Sequence, residues 1–542
     1  IYGTGTTWQN EIFSNKALYQ NHSLSLSGGS DKSTYYVSAG YRGQQGLIAP
    51  SIAYDNQFSL TTNTSFKLGK YVQIGENLSF TNQKNNTGLN TNSEFGGPLS
   101  DALNLDPITP VTVDSTLVAA NPGTYPTSYL PYLIQAPNGM YYAISPRVQQ
   151  EMTNPLAYIQ TQQGNYGWSD NLIGNGYINV NPIKGLNLRS QIGAKGGFWG
   201  SESFSPFYYM NTTNNHTPVG GTQNSQYRDA EHNLTWNWDN TASYDKQIGL
   251  HDVTIMIGTS AMQQTGEGVN ATHFGEPVTD YQDASFNWSV PQDSTTGYGY
   301  ENQVYTLQSY FSRVSYNYDE KYLFMGIIRH DGSSKFGSNN RWGTFPSAQV
   351  GWIATKEKFF PKNTPIDNLK IRASYGVVGN DMSLSPFQYE SVIQGGGLRD
   401  AVLGNNSLTV GYGPTAPANP NLKWEQTSQL DLGFDAILAH GLTVTFDYYN
   451  KKTTGMLQTV QIPAFAGYLG QPWANVGNMT NKGVELELGY RKDFRGDFHL
   501  NINGNISYNK NEIFYLCNGV SYLNSGATWQ ASLYPLTRQA VG

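Results

Sequence analysis

The chain of 542 residues is only 13% charged, about half the roughly 25% usual for a soluble globular chain, and carries 38 tyrosines and 58 glycines. A net charge of −7 with no long basic run argues against nucleic acid as a partner, which calls for a basic patch or stripe. The longest apolar run, Tyr322 to Ile328 with a glycine inside, falls far short of the roughly 18 residues of a membrane-spanning helix, whereas a barrel wall needs only alternate residues to be apolar.

From one end to the other, the dominant signal is period-two alternation over about ten residues, the mark of a strand with two unlike faces. About sixteen such strands follow one another, centred near residues 25, 38, 61, 76, 175, 192, 238, 257, 310, 326, 348, 373, 432, 446, 487 and 503. Leu186, Leu188, Ile192 and Ala194 oppose Asn187, Arg189 and Gln191. Ile371, Ala373 and Tyr375 oppose Lys370, Arg372 and Ser374. Leu430, Leu432 and Phe434 oppose Asp431, Gly433 and Asp435, and Val444 and Phe446 oppose Thr445 and Asp447. Leu486 and Leu488 oppose Glu485 and Glu487.

The connections alternate in length. Segments 28–33, 67–70, 181–185, 317–321, 438–441 and 491–496 are short, while 83–166, 199–231, 263–302, 379–425 and 452–481 are long. The connection 354–368 fits least well. Short turns on one side and long loops on the other are what an up-and-down outer-membrane barrel requires. Tyrosines near strand ends, among them Tyr35, Tyr36, Tyr316, Tyr318, Tyr322 and Tyr449, suit an interfacial girdle, although tyrosine also favours strands in general. The expected fold is therefore all-β, a transmembrane antiparallel barrel forming one domain over residues 1–542. The chain opens at Ile1 without a signal peptide and ends at Gly542 in loop-like sequence, so both ends read as cuts inside a longer protein.

Several phrases carry a further signal. His22-Ser-Leu-Ser-Leu-Ser-Gly-Gly-Ser30 with Tyr35-Tyr-Val-Ser-Ala-Gly-Tyr41 forms the first. Phe311-Ser-Arg-Val-Ser-Tyr-Asn-Tyr318, Lys321-Tyr-Leu323 and Arg329-His-Asp-Gly-Ser-Ser-Lys-Phe336 follow. Then come Asn340-Arg-Trp-Gly-Thr-Phe-Pro-Ser-Ala-Gln-Val-Gly-Trp352 and Leu369-Lys-Ile-Arg-Ala-Ser-Tyr-Gly-Val-Val-Gly-Asn380. The last are Asn419-Pro-Asn-Leu-Lys-Trp-Glu425 and Asn475-Val-Gly-Asn-Met-Thr-Asn-Lys-Gly-Val-Glu-Leu-Glu487. In this order they resemble the SusC family (SusC/RagA type) of TonB-linked outer-membrane transporters, over residues 20–82 and 303–510. The resemblance implies import of a bulky nutrient, an oligosaccharide or a peptide, with a SusD-like surface lipoprotein as lid. It also implies a plug and a TonB contact, none of whose residues is present. About one strand before Ile1 and about five after Gly542 would complete the 22 of a plugged transporter. A passive porin, an adhesin-like barrel or a siderophore-type receptor would share the alternation.

No phosphate-binding glycine loop, His-Glu-x-x-His zinc motif or EF-hand loop occurs. The single cysteine, Cys517, allows no intrachain disulfide framework. Neither an enzymatic site nor a cofactor is expected. Glu485 and Glu487 fall on one strand face, where a polar lumen wall is favoured over acid–base chemistry. Arg329, Asp331 and Arg341 gather at a strand–loop–strand corner as a structural ion pair or mouth-lining group, and Arg372 is expected to line the lumen. The aromatics Trp199, Phe207, Tyr208, Tyr209, Trp288, Tyr298 and Tyr300 fall in long segments. They suit contact with a solute or lid, and loop-on-loop packing is the reading favoured over it.

Overall fold

The structure, a computed structural model, describes residues 5–86, 89, 97–213, 216, 224–291, 294–404, 407–439, 441–494, 496–516, 521–525 and 537–542. Cys517 lies outside the described residues. Sixteen wall strands run in order: Tyr19–Gly29 (β1), Ser33–Gln45 (β2), Tyr54–Leu68 (β3), Val72–Asn85 (β4), Tyr166–Val180 (β5), Leu186–Ser205 (β6), Ser225–Ile248 (β7) and His251–Phe274 (β8). They continue through Tyr305–Tyr318 (β9), Tyr322–Ser333 (β10), Trp342–Ile353 (β11), Ile366–Asn380 (β12), Glu425–Leu438 (β13), Leu442–Thr459 (β14), Trp473–Asp493 (β15) and His499–Leu516 (β16). Each pairs antiparallel with its sequence neighbours, and every strand centre expected from the alternation falls inside one of them. A further strand, Thr295–Glu301, continues the line of β9 along the upper half of β8. Among the described residues β1 and β16 each have a single neighbour, so the sheet is an open part of a barrel.

Residues directly opposite on paired strands share a face, so the register sorts the wall into two. One row reads Trp352, Ile371, Phe434, Phe446, Leu486 and Ile506 from β11 to β16. The rows beside it on the other face read Lys370, Asp435, Thr445, Glu487 and Asn505, then Arg372, Gly433, Asp447, Glu485 and Ser507. Leu24, Leu26, Ile192, Ile257, Val350 and Ile506 are exposed on the apolar face, as a surface covered by lipid requires. Glu76 departs from this rule: it stands on the apolar face, four residues from the turn-side end of β4, where Thr62 and Thr64 donate hydroxyl hydrogen bonds to it.

At one end the connections are short: 30–32, 69–71, 181–185, 249–250, 319–321, 439–441 and 494–498, with 354–365 the longest. Asp319 and Glu320 both take the left-handed conformation at the centre of a turn in which the Lys321 amide donates to the Tyr318 carbonyl at 2.8 Å, a twist that matches that of the flanking strands. At the other end the connections 46–53, 86–165, 206–224, 275–304, 334–341, 381–424 and 460–472 hold the apolar packing. One cluster joins Val113, Val118, Tyr125, Leu133 and Ile144 to Tyr209 across two long connections. A second joins Trp8 and Ile12 to Ala102 and Leu105. A third gathers at the rim, around Phe336. Epitope tags inserted at Gly123 in a long connection and at Gly249 in a turn should label oppositely on intact cells, the first bright and the second silent. Equal labelling would overturn the sidedness.

Three of the segments expected to be loops, 199–231, 263–302 and 452–481, are in part strand, the last of them through the ends of β14 and β15. Residues 199–205, 225–231, 263–274 and 295–301 extend the wall beyond the apolar band. The alternation weakens there because neither face needs to meet lipid, so asparagine, threonine and glycine replace leucine and isoleucine on both.

Candidate functional site

Arg372 centres the polar face. Its Nε donates to Asp435 Oδ2 at 2.9 Å, its Nη2 donates to Asp435 Oδ1 at 3.1 Å and to Asp447 Oδ2 at 3.2 Å. Gly433 stands between Arg372 and Asp447 in the register, and a Cβ there would lie 2.1 Å from Asp447 Oδ1. The missing side chain is what lets the guanidinium reach across a whole strand. Glu485 faces Asp447, and Glu487 faces Thr445, in the same two rows. Among the described residues no group of three or more His, Cys, Asp or Glu is placed to hold a metal ion. The arrangement is a fixed charge network on a wall.

The second cluster is the rim corner built by the strand–loop–strand phrase 329–352. Arg329 Nε donates to both oxygens of Asp331 at 2.8 Å, and its Nη2 donates to Ser309 Oγ at 2.8 Å. Arg341 does not join this pair: its side chain is exposed, and its carbonyl accepts from Trp424 Nε1 at 3.0 Å. Below it, Asp381 accepts from Tyr305 OH at 3.0 Å and from Ser333 Oγ at 2.6 Å, while Lys335 Nζ donates to its carbonyl at 3.1 Å. Phe336 is fully buried against Trp424, ring centres 5.1 Å apart, with Phe345, Leu384 and Leu422 around them. Asn380 Nδ2 donates to Glu425 Oε1, and Asn475 Nδ2 donates to the carbonyl of Lys423. Phrases far apart in the chain thus meet at one corner, each supplying a cap or a packed ring.

The aromatics divide three ways. Tyr209 is 2% exposed inside the loop core and stacks on Tyr129 at 4.5 Å, so it is not available to a solute or lid. Phe207 stacks on Tyr132 at 5.0 Å, Tyr208 beside it is half-buried, and Trp288 is exposed with its Nε1 donating to the Asp283 carbonyl. Trp199, Tyr298 and Tyr300, expected in loops, stand on strands and on the polar face, with Tyr300 OH donating to Glu231 Oε2 at 2.5 Å. Glu231, Asp229, Asp381 and Trp424 were not legible as site residues, because only cross-strand register brings them to their partners.

One of the titratable anchors of the loops is Asp101. Asp101, on the helix Pro98–Asn104, is fully buried and accepts from Thr153 Oγ1 at 2.9 Å and from the Thr153 amide at 3.2 Å. Burial pushes its carboxyl up to about 7 from the ordinary 3.8. A carboxyl that holds its proton more tightly when folded favours the folded loop at low pH, fully below about 4 and no longer above about 7. Hydrogen-exchange protection of segment 98–159, corrected for intrinsic rates, should therefore fall between about pH 4 and 7 and stay level above that. In Asp101→Asn it should stay level, and matching pH profiles for parent and variant would remove Asp101 as the cause.

Against this geometry, the family profile described as TonB dependent receptor-like, beta-barrel, matches residues 112–539. The chain belongs to this family. Two relatives extend the match: TonB-dependent receptor P3 of Formosa agariphila is 31% identical over 95% of this chain and 47% of its own length. TonB-dependent receptor SusC of Bacteroides thetaiotaomicron is 28% identical over 95% of this chain and 49% of its own. The chain therefore spans about half the length of the curated relatives it matches. The solved RagAB peptide importer in its closed-closed state superposes with a TM-score of 0.77 at 24% identity, covering all of this chain and 55% of that one. This TonB-dependent receptor barrel is an outer-membrane protein.

Proposed function

We propose that the whole protein carries out TonB-dependent import of a bulky nutrient, an oligosaccharide or peptide, with a SusD-like lipoprotein seated on its long loops. The whole of residues 1–542 is then one barrel domain, with lipid on the apolar face and the lumen on the polar one. Arg329, Asp331, Arg372, Glu485 and Glu487 line the lumen and mouth in this reading, and no catalytic step is assigned to them. The observation that carries the reading is the asymmetry of the wall's two ends. The three packed apolar clusters among the described residues lie at the end of the long connections and draw on them, which makes a built platform there, while the turns at the other end are mostly two to five residues long.

A platform suits capture from outside, and a lumen closed by a plug passes a large solute only when work moves the plug. Binding alone cannot supply that work, because a ligand shifts an equilibrium only by its differential affinity for the two states. The test uses the full-length protein in its own cells. Uptake of a labelled oligosaccharide or peptide mixture should stop when a protonophore collapses the gradient, and mild-detergent purification should recover a lipoprotein lid. Uptake that persists without the gradient, with no lid recovered, would favour a passive porin.

A further inference from the structure

The upper wall carries a patch unlike the rest of the polar face. Directly opposite one another from β6 outward stand Trp199, Glu231, Gly268 and Tyr300. The adjoining row on the same face reads Ser201, Asp229, Asn270 and Tyr298. A Cβ on Gly268 would lie 2.8 Å from the Tyr300 ring and 2.9 Å from Glu231 Cγ, so the bare glycine is the bed on which that ring lies flat. The Trp199 indole lies likewise over Gly197, 3.4 Å from where a Cβ would be. Rings laid along a wall present their faces to the space in front of it. Tyr298 stacks beside Tyr300, ring centres 6.3 Å apart, and is 64% exposed.

Charge in this patch has one sign. Asp229 uses Oδ1 to accept from the Ser201 amide at 2.9 Å, and Glu231 uses Oε2 to accept from Tyr300. Among the described residues the other oxygen of each has no hydrogen-bond partner, and neither carboxylate has a cationic one. Elsewhere on the polar face Arg42 answers Asp55, Arg329 answers Asp331, and Arg372 answers Asp435. The next cation down the face from this patch, Lys195, stands two rows below the Trp199–Glu231 pair. A neutral solute would leave both charges uncompensated. A planar cation satisfies both features of the patch, since a guanidinium stacks on aromatic faces and pairs with a carboxylate through two parallel N–H groups.

We propose that the aromatic–carboxylate patch formed by Trp199, Asp229, Glu231, Tyr298 and Tyr300 is a subsite for a basic side chain of a peptide solute. The proposal rests on the import reading above and names the chemistry of what is imported. Lipid is excluded as its occupant by position, because the patch is on the polar face.

The test is equilibrium binding by fluorescence anisotropy to the purified full-length transporter. Three probes are compared: a labelled octapeptide containing two arginines, the same peptide with glutamine at both positions, and a chitosan hexamer. The arginine peptide should bind at least tenfold tighter than its glutamine twin, and more weakly as salt rises. The paired substitution Asp229→Asn with Glu231→Gln should erase that preference while leaving the glutamine peptide's affinity within about twofold. Heat-modifiable mobility equal to the parent's establishes that the variant barrel is folded, and Tyr300→Phe, which keeps the ring, should retain most of the preference. Equal affinity for the two peptides, or a preference that survives the paired substitution, overturns the subsite. Chitosan binding that depends on the same two carboxylates, without any arginine preference, overturns the peptide assignment in favour of an amino sugar. Energised uptake without the preference would sink the subsite and leave the import reading standing. The preference without energised uptake would do the reverse.

Discussion

Phe336→Ala is expected to open the rim corner while leaving the wall intact, at a cost of about 3–5 kcal/mol. Phe336 has no exposed surface, and its ring is held by Trp424, Leu384 and Leu422, with Phe345 packed on the far side of Trp424. Deleting the ring removes contacts from three chain segments at once: the connection 334–341, the segment beginning at Asp381, and Asn419–Glu425. None of them can move in to fill the void without giving up a capping bond, because Asp381 is tied to Tyr305 and Ser333, and Glu425 to Asn380. The effect is therefore local, and the fitting measurement is limited proteolysis of segment 381–424 on folded protein. When opening and closing are fast, cleavage follows the population of the open form. The predicted loss then corresponds to an increase in cleavage rate of two orders of magnitude or more. Phe465→Ala is the control, since that ring is 92% exposed and should change nothing. A Phe336→Ala protein cleaved no faster than its parent would mean that the corner is held by something other than this cluster.

The corner also explains why the family could be recognised in the sequence while its site could not be assigned. The phrases around Arg329, Asn340, Asn380, Asn419 and Asn475 are distinctive because each residue meets a fixed geometric demand: a buried ring at Phe336 and Trp424, a cap at Asn380 and Asn475. Such residues identify the scaffold. They do not name the solute, and the structure places none of them in reactive geometry with another.

The wall was legible for a different reason. Lipid on one side and polar residues on the other impose alternation, and that alternation located sixteen strands and their two faces. It failed where the bilayer stops. On the upper parts of β6, β7 and β8 both faces are polar or glycine-rich, so Trp199, Tyr298 and Tyr300 read as loop residues although they stand in register on the wall. The loop core was hidden for the same kind of reason. Its helices Pro98–Asn104, Ser115–Ala120 and Pro155–Thr161 are six or seven residues long, too short for a helical period to show against a background of turns. Tyr209 and Asp101 are buried there by contacts made across 50 residues or more, which no local pattern records.

The faces themselves supply the second large expected effect. Leu486 sits in the apolar row between Phe446 and Ile506, with the stacked Phe434–Phe446 pair next to it at 5.8 Å. It stands seven residues from the turn-side end of β15, about 18 Å up a strand tilted by roughly 40°. An apolar band about 25 Å tall that begins about 5 Å above the strand end is centred near that height. An arginine there meets hydrocarbon from every outward direction, and Leu486→Arg should cost about 2–4 kcal/mol of folding free energy. Its neighbour in sequence, Glu487, faces the opposite way, beside Thr445 and Asn505 and in the same row as Asp435. Glu487→Arg places the same side chain at nearly the same height against water and carboxylates, and should shift stability by less than about 1 kcal/mol. Urea-dependent folding of the full-length protein into lipid vesicles measures both. The contrast between adjacent positions, rather than either value alone, reports the register, because a slip of one residue would exchange the two faces. Equal losses at 486 and 487 would mean that this part of the wall does not divide lipid from lumen as the pairing requires.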